Sequence, residues 1–139
     1  MKRRVLFICT HNSARSQMAE GLLRHMGNDR FEVFSAGTEA TFVRPMATQV
    51  MAELGIDISH QQSKTLDRYL GEPFDDVITV CDTAAEACPV FPGAVRRRHW
   101  SFEDPSKASG SETEQIQVYR KVRDEIRSRI ENELLAEKY

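Results

Sequence analysis

The sequence predicts an α/β fold, a single three-layer αβα domain built around a four-stranded parallel sheet. Short apolar runs alternate along the chain with stretches that repeat apolar residues at helical spacing, which is the pattern of β-α units. The chain has 139 residues, of which 40% are hydrophobic and 29% are charged, as expected for one globular domain. With right-handed crossovers, we expect the strand order 2-1-3-4.

The first half of the chain supplies two strands and two helices. Arg4–Cys9 is rich in apolar β-formers, which is typical of a strand buried on both faces of a parallel sheet. Arg15–Met26 has the spacing of a helix, and a Gly-Asn-Asp stretch ends it. Phe31–Ala36 is the second predicted strand. A second helix begins at Pro45 and ends at Gly55.

The second half supplies two more strands and the longest helix. A short helix is expected near Thr65–Leu70, before a third strand at Asp76–Cys81. Ala84–Ala87 is predicted to be a short helical stretch that prolines stop. Val95–Trp100 is a more polar strand, which indicates an edge position. Glu112–Glu137 carries apolar residues along one face and is predicted to be a long helix.

Composition and charge argue against several classes of function. The net charge of −2 lacks the basic excess of nucleic-acid-binding proteins. The apolar run Val5–Cys9 is far shorter than the roughly 20 residues that span a bilayer. His11 and Asn12 follow it too soon for a signal peptide. We therefore expect a cytoplasmic monomer with no membrane or nucleic-acid partner.

The chain has three cysteines, Cys9, Cys81 and Cys88. Because their number is odd, they do not indicate a set of structural disulfides. None forms the closely spaced pair of a structural zinc site, so we expect no metal. Cys9 ends the first predicted strand and Cys81 ends the third. The carboxyl ends of these strands meet at the sheet edge where such folds bind ligands. This placement favours chemistry over the alternative of core packing.

The segment from Cys9 to Ser16 has the form C-x5-R-S and joins a strand to a helix. Such a turn directs backbone N–H groups and the positive helix end at one concavity, which suits a tetrahedral oxyanion. The same field favours the Cys9 thiolate, to which Ser16 can donate a hydrogen bond. Arg15 has the planar fork that binds two oxygens. The pattern predicts thiolate attack on a bound oxyanion, and an ordinary strand-to-helix turn is the alternative.

A departing oxygen needs a proton donor. Asp104 follows the fourth predicted strand and therefore lies at the same edge of the sheet. Glu103 is the rival acid, and Asp104 before Pro105 is also a common start of a turn. The spacing alone does not choose between them. Neither glycine-rich nucleotide-binding motif is present, which argues against a nucleotide site.

Together these features resemble the low-molecular-weight protein tyrosine phosphatases, and more closely the thioredoxin-coupled arsenate reductases built on the same fold. The likeness covers nearly the whole chain, through CTHNSARSQMAEG, FSAGTEA, ELGIDIS, VITVCDTAAEACP and HWSFEDP. It implies Cys9 as nucleophile, Asp104 as proton donor, and Cys81 and Cys88 as relay cysteines. It also implies an arsenate-binding loop made of Thr10, His11, Asn12, Ser13, Ala14 and Arg15.

The resemblance implies no organic cofactor, because an external dithiol regenerates the enzyme. Thioredoxin is the expected reductant, with glutaredoxin or a small thiol as alternatives. A phosphatase needs only Cys9, Arg15 and Asp104, so the two further cysteines favour the reductase. A low-molecular-weight phosphatase and a non-enzymatic anion or redox sensor remain the alternatives.

Two positions in the loop depart from the family pattern. His11 stands where glycine is common, and we expect its side chain to face solvent. Ala14 stands where a further cysteine is common, and its loss does not affect a relay of three cysteines.

The resemblance also points to a monovalent cation site beside the loop in some relatives. Asn12, Glu20 and Ser35 match its ligands, but Lys64 occupies the position of the acidic ligand. An ammonium and a potassium ion would repel each other, so we expect Lys64 to replace the ion. A solvent-facing Lys64 is the alternative.

The relay cysteines impose a geometric condition. Cys81 and Cys88 are seven positions apart, which corresponds to about 10 Å along a helix. A disulfide needs Cα atoms within roughly 4.4–6.8 Å. If residues 82–87 are helical, they must unwind before the pair can bridge, so we expect reduced and oxidised forms to differ between residues 82 and 92.

Overall fold

The structure, a computed structural model, describes residues 2–82 and 91–137. The strands are β1 (Arg3–Cys9), β2 (Phe31–Gly37), β3 (Phe74–Thr79) and β4 (Ala94–His99). The α-helices are α1 (Arg15–Gly27), α2 (Pro45–Ala52) and α3 (Glu112–Arg129). Shorter helical segments are the 3-10 helices Asn28–Arg30, Leu66–Tyr69 and Pro105–Lys107 and the π-helix Ile130–Leu135. Cys88 and the predicted helical stretch Ala84–Ala87 lie outside the described residues.

The sheet confirms the predicted order and direction of the strands. It runs β2-β1-β3-β4, and every pair is parallel. Val5 of β1 pairs with Val33 on one side and with Asp76 on the other. β1 and β3 are therefore the central strands, and the polar strand β4 lies at an edge, as predicted. The segments after β1, β3 and β4 consequently emerge at one edge of the sheet.

β3 begins and ends two residues earlier than predicted. Its pairing with β4 runs from Phe74 to Thr79, where Thr79 pairs with His99. The amide of Val80 still donates to the carbonyl of Ile8, at 2.8 Å. The apolar run continues past the strand because this segment stays buried, which explains the longer prediction. Cys81 lies just beyond β3, not within it.

Two apolar clusters cover the two faces of the sheet. The first joins Phe7 and Trp100, whose ring centroids are 6.0 Å apart, to residues of α1, α2 and α3. The second contains Tyr69, Phe74 and Phe91, which pack edge to face with centroids about 6 Å apart. The 3-10 helix Leu66–Tyr69 supplies part of the second cluster. Each face of β1 therefore rests on its own core.

The C-terminal helix changes its winding before its predicted end. Ser111 begins α3 with a capping box, in which its side chain and that of Glu114 each bond the other's backbone. The α-helix ends at Arg129, and Ile130–Leu135 continues as a π-helix. Among the described residues, no helix is long and apolar enough to pass through a membrane.

Candidate active site

The loop of residues 10–14 connects β1 directly to α1. Cys9 is the last residue of β1 and is 2% exposed, while Arg15 is the first residue of α1. The Cys9 sulfur therefore lies at the carboxyl edge of a central strand, beside the positive end of a helix of 13 residues. This is the placement that the C-x5-R-S pattern predicts.

The segment of residues 38–44 holds the outer side of this loop. The amide of Glu39 donates to the carbonyl of Thr10, at 3.0 Å, and the amide of Arg44 donates to that of Ser13, at 2.9 Å. The hydroxyl of Thr41 donates to the carbonyl of His11, at 3.2 Å. In a planar trans peptide the following N–H points the opposite way from the carbonyl. The N–H groups of the loop are therefore turned away from this segment.

Asn12 has a left-handed backbone, with φ of 48°, and is fully buried. Asparagine tolerates this conformation better than most residues. Its side-chain Nδ2 donates to the hydroxyls of Ser16, at 2.7 Å, and Ser35, at 3.0 Å. Its Oδ1 accepts from Gln17 Nε2, at 2.9 Å, and from the amide of Lys64, at 2.8 Å. The buried amide thus has four partners, and its orientation is fixed.

Ser16 links this network to the nucleophile. Its Oγ lies 2.8 Å from the Sγ of Cys9, and both side chains are buried. Because Ser16 already accepts a hydrogen bond from Asn12, its own proton is available for the sulfur. A thiolate has no proton to give, so in that state Ser16 is the donor. The contact that was predicted between these two side chains is present.

Arg15 meets the loop that follows β4. It is 2% exposed, and its Nη1 donates to the carbonyl of Phe102, at 3.2 Å. Its Nη2 lies 3.6 Å from Oδ2 of Asp104. Oδ1 of Asp104 accepts from the amide of Ser106, at 3.0 Å, and caps the 3-10 helix Pro105–Lys107. One oxygen of Asp104 therefore caps the turn, while the other faces the guanidinium of Arg15. This geometry is compatible with Asp104 both as the start of a turn and as the acid of the site.

Glu103 turns away from this arrangement. Its carboxylate lies 3.1 Å from the ammonium of Lys121, and its side chain is about half exposed. The side chain of Asp104 is only 8% exposed. Both Asp104 and Glu103 line a cleft of about 390 Å³, together with Asp82, so the contact with Arg15 and the burial of the side chain distinguish the two acids. The geometry therefore favours Asp104 over Glu103 as the acid that faces a bound anion.

Cys81 lies against the backbone of β1. It is fully buried, and its Sγ is 3.9 Å from the carbonyl oxygen of Ile8. That carbonyl belongs to the peptide group that joins Ile8 to Cys9. Cys9 and Cys81 therefore lie at the same edge of the sheet, as predicted. Cys88, the third predicted member of the relay, lies outside the described residues.

His11 only partly meets the expectation that it faces solvent. Its side chain is 34% exposed, and its Nδ1 lies 3.4 Å from a carboxylate oxygen of Glu39. Glu39 approaches because its amide is bound to the neighbouring carbonyl of Thr10. The imidazole therefore borders the segment 38–44. Ala14, the other departure from the family pattern, is buried.

Lys64 does not face water. Its side chain is 11% exposed, and its Nζ lies 3.9 Å from Oε1 of Glu20 and donates to the carbonyl of Gln62, at 2.5 Å. Ser35 donates to the same oxygen of Glu20, at 2.5 Å. Burial lowers the pKa of Lys64, and the attraction of Glu20 opposes this shift. The ammonium therefore lies beside Glu20, which with Asn12 and Ser35 matches the ligands of the cation site in some relatives. The alternative, in which Lys64 faces solvent, is wrong.

Two features of the site were missed by the sequence analysis. Gln17 is buried under the loop and contacts Asn12, and the segment 38–44 holds the loop's carbonyls. Both act through hydrogen bonds that apolar periodicity does not reveal. Among residues 2–82 and 91–137, no group of three or more His, Cys, Asp or Glu could hold a metal ion.

Comparisons with known proteins agree with this geometry. A family model described as low molecular weight phosphotyrosine protein phosphatase matches residues 4–138. The chain is 49% identical, over 93% of each chain, to a protein of Halalkalibacterium halodurans named arsenate reductase. It is similar to a solved arsenate reductase in the phosphate binding state, with a TM-score of 0.80 and 35% identity over 94% of this chain and 95% of the other. It is also similar to a thioredoxin-dependent arsenate reductase of Corynebacterium glutamicum, with a TM-score of 0.65 and 28% identity over 98% of this chain and 64% of that one.

Proposed function

Because the chain belongs to the low molecular weight phosphotyrosine protein phosphatase family, we propose that it uses the oxyanion loop of that family to reduce arsenate to arsenite. The relatives named arsenate reductase support this choice of substrate. The observation that carries the proposal is the position of Cys81, whose buried sulfur lies against the peptide group that precedes Cys9. Hydrolysis of a phosphate ester does not need that second thiol.

The first step forms a bond between sulfur and arsenic. Arsenate binds to the loop amides and to Arg15, and the thiolate of Cys9 attacks the arsenic atom. One arsenic–oxygen bond breaks, and the oxygen leaves as water after accepting protons, of which Asp104 supplies one. Arsenic stays in its pentavalent state. The contact of Ser16 with the Cys9 sulfur stabilises the thiolate that begins this step.

The second step is the reduction. The thiolate of Cys81 attacks the sulfur of Cys9, and a disulfide forms between them. The sulfur–arsenic bond breaks and its electron pair stays on arsenic, which leaves as trivalent arsenite. The two sulfur atoms have together lost the two electrons that arsenic gained. No organic cofactor takes part in this exchange.

A disulfide relay then restores Cys9. Cys88 attacks Cys81, which frees Cys9 and moves the disulfide to the pair Cys81–Cys88. An external dithiol reduces that pair, and we propose thioredoxin because one similar structure is a thioredoxin-dependent enzyme. The protein acts as a monomer in the cytoplasm, where thiols are kept reduced.

The test compares two substrates in the full-length, reduced protein. Arsenate turnover is followed through NADPH consumption with thioredoxin and thioredoxin reductase, and p-nitrophenyl phosphate hydrolysis is followed in parallel. We expect multiple turnovers of arsenate that depend on thioredoxin. Cys81→Ser should lose arsenate turnover and keep phosphate-ester hydrolysis, because only the reduction uses Cys81. A wild-type protein that does not turn over arsenate with thioredoxin would overturn the proposal.

The variant Cys88→Ser tests whether Cys88 is the thiol that frees Cys9 from its disulfide with Cys81. We expect this variant to release one arsenite per enzyme molecule and then stop with Cys9 and Cys81 in a disulfide, because no thiol remains to free Cys9. Its phosphatase activity in the reduced state should equal that of the wild type. Sustained turnover of arsenate with thioredoxin would instead show that the relay does not pass through Cys88.

A phosphatase is the second candidate function. The family model itself describes phosphotyrosine phosphatases, and the contacts of Cys9 with Ser16 and of Arg15 with Asp104 support this alternative. Phosphate and arsenate are tetrahedral oxyanions of similar size, so weak phosphatase activity is expected in either case. A strong preference for aryl phosphates, with no arsenite released, would assign the protein to this alternative.

A further inference from the structure

Gln17 is a buried amide that the proposed reaction does not use. It lies in the first turn of α1 and is fully buried. Its Nε2 has three acceptors within hydrogen-bond distance: the Oδ1 of Asn12 at 2.9 Å, the carbonyl of Asn12 at 3.0 Å and the carbonyl of Gln62 at 2.9 Å. Its Oε1 accepts from Nε2 of Gln61, at 2.8 Å. Both ends of the amide are therefore occupied.

The direction of these hydrogen bonds is fixed by groups that can only donate or only accept. Arg24, which has no acceptor, donates to Oε1 of Gln61, at 3.3 Å, so the other end of the Gln61 amide must be its donor. Oε1 of Gln17 receives that proton, and Nε2 of Gln17 faces two backbone carbonyls, which only accept. The two N–H groups of Gln17 are therefore shared among these two carbonyls and the Oδ1 of Asn12.

This order continues to the nucleophile. With its Oδ1 held by Gln17 and by the amide of Lys64, Asn12 turns its Nδ2 toward the Oγ of Ser16. Ser16 then accepts from Asn12 and keeps its own proton for the sulfur of Cys9, 2.8 Å away. A reversed Asn12 amide would offer an oxygen to Ser16 instead. The Ser16 proton would then be drawn to that oxygen and away from the thiolate.

We propose that Gln17 is a positioning residue that, together with the amide of Lys64, fixes the Asn12 amide and thereby directs the Ser16 hydroxyl proton at the Cys9 sulfur. The inference rests on the proposed role of Cys9 as nucleophile. Gln17 also ties the left-handed residue of the loop to the segment that carries Gln62, through the carbonyls of Asn12 and Gln62. The Gln17 side chain therefore contacts both the backbone of the loop and the Asn12 amide that sets the direction of its hydrogen bonds.

The test is the pH profile of Cys9 alkylation in Gln17→Met. Methionine has a similar length and no donor, so the Oδ1 of Asn12 loses one of its two donors and keeps only the amide of Lys64. We expect the midpoint of the profile to move to higher pH, and the alkylation rate below that midpoint to fall about threefold to tenfold, the effect of weakening one hydrogen bond to a charged group. The full-length reduced protein is treated with iodoacetamide, and the Cys9 peptide is quantified by mass spectrometry.

Two controls separate positioning from a general loss of packing. Gln115→Met removes an exposed amide that donates to the carbonyl of Gly110, at 2.9 Å, far along the chain in α3. Val122→Ala opens a space in the buried face of α3 and lowers the melting temperature. Both variants should keep the wild-type midpoint. A midpoint unchanged in Gln17→Met, or moved equally in Val122→Ala, would overturn the proposal.

Gln61→Met keeps the inference testable if Gln17→Met does not fold. It removes the donor to Oε1 of Gln17 and leaves Gln17 itself in place, so we expect a smaller shift of the same sign. An unchanged midpoint in Gln61→Met would contradict the proposed order of hydrogen bonds. Since the assay contains no arsenate, its result is independent of arsenate turnover, and either proposal can fail while the other stands.

Discussion

Serine differs from cysteine by one atom, and at position 9 that atom decides whether a nucleophile exists. We expect Cys9→Ser to abolish both arsenate reduction and p-nitrophenyl phosphate hydrolysis, because a serine alkoxide does not form near neutral pH whereas a thiolate does. The substituted hydroxyl can still meet Ser16, so the melting temperature should change little. Appreciable turnover of either substrate would remove Cys9 as the nucleophile.

The position of the Lys64 ammonium makes a prediction about the binding of potassium. Because it lies 3.9 Å from Glu20, added potassium should change neither the melting temperature nor the turnover of the wild-type protein. A ligand that binds only the folded state must stabilise it. In Lys64→Asp the ammonium is replaced by a carboxylate, and a rise in melting temperature with potassium should appear. Sodium at equal ionic strength is the control, and a potassium-specific rise in the wild type would contradict the assignment.

The sequence could name most of the side chains that meet at this site, but not all of their partners. The C-x5-R-S pattern is local, so Cys9, Arg15 and Ser16 follow from strand-to-helix geometry. Spacing alone did not choose between Asp104 and Glu103, and the family resemblance implied Asp104; in the fold, one lies near Arg15 and the other near Lys121. Gln17 was beyond reach, since its partner Gln61 is 44 positions away.

At the scale of single elements, predictions were best where a sequence signal marks an end. Pro45 marks the start of α2 as predicted, and the predicted start of α3 at Glu112 also agrees with the structure, where Ser111 and Glu114 form a capping box that the apolar pattern does not show. The ends of β3 were misplaced because burial continues through Val80 and Cys81 after the ladder with β4 has stopped. Burial and hydrogen-bond pairing are separate properties, and an apolar run reports only the first.

The contact between the end of α2 and α3 makes a prediction about acid stability. Glu53 accepts hydrogen bonds from Arg120, at 2.6 Å, and from Arg123, at 2.8 Å, and these lower its pKa from 4.5 to about 2. A depressed pKa stabilises the folded state above pH 4.5, and that contribution is lost as the pH falls toward about 2. The structure should therefore lose stability over this window.

Glu53→Gln removes the titrating group and should flatten this part of the pH dependence. The measurement is the free energy of unfolding in urea at several pH values between 5 and about 2, where carboxylates that are paired in the folded state become protonated. Arg120→Met should shrink the same change, because it removes the first of the two partners. Identical slopes in the wild type and Glu53→Gln would refute the assignment.

Over the whole molecule, the end of the sheet opposite the active site is held by charge. Asp76 is fully buried and binds Arg3 through two hydrogen bonds, at 2.5 Å and 2.8 Å. Arg96 and Arg98 approach the same carboxylate, at 3.4 Å and 3.9 Å, and Glu137 bridges the three arginines. This network joins β1, β3 and β4 to the C-terminal end of the chain.

Removing one partner of this network should be costly. We expect Asp76→Leu to lower the free energy of unfolding by about 3–5 kcal/mol, because the buried Arg3 loses the carboxylate that binds it through two hydrogen bonds and keeps the longer contact with Glu137. Combining Asp76→Leu with Arg3→Met should cost less than Asp76→Leu alone, since the charge of Arg3 is gone. Urea unfolding measures both variants. A double variant less stable than the single one would show that the pair itself, rather than the unpaired charge, governs stability.

The order of the sheet also followed from general rules, since right-handed crossovers leave few arrangements of four strands. What covers each face was harder to predict. One face carries three α-helices with clear apolar spacing, whereas the described part of the other face is covered by a 3-10 helix and single aromatic side chains. Such cover has no period in the sequence, so the long-range contacts of Phe91 could not be foreseen.

The central position of β1 sets the order in which a newly made chain can fold. β1 is synthesised first, yet its bonds with β3 reach across 73 positions, from Arg3 to Asp76. On the ribosome this apolar strand stays partly unpaired until β3 has been translated. The partners of Asn12 and Gln17 in the segment 61–64 arrive late as well. Long-range parallel pairing is slow and leaves apolar segments exposed, so we expect β1 to be the segment most open to aggregation before β3 pairs with it.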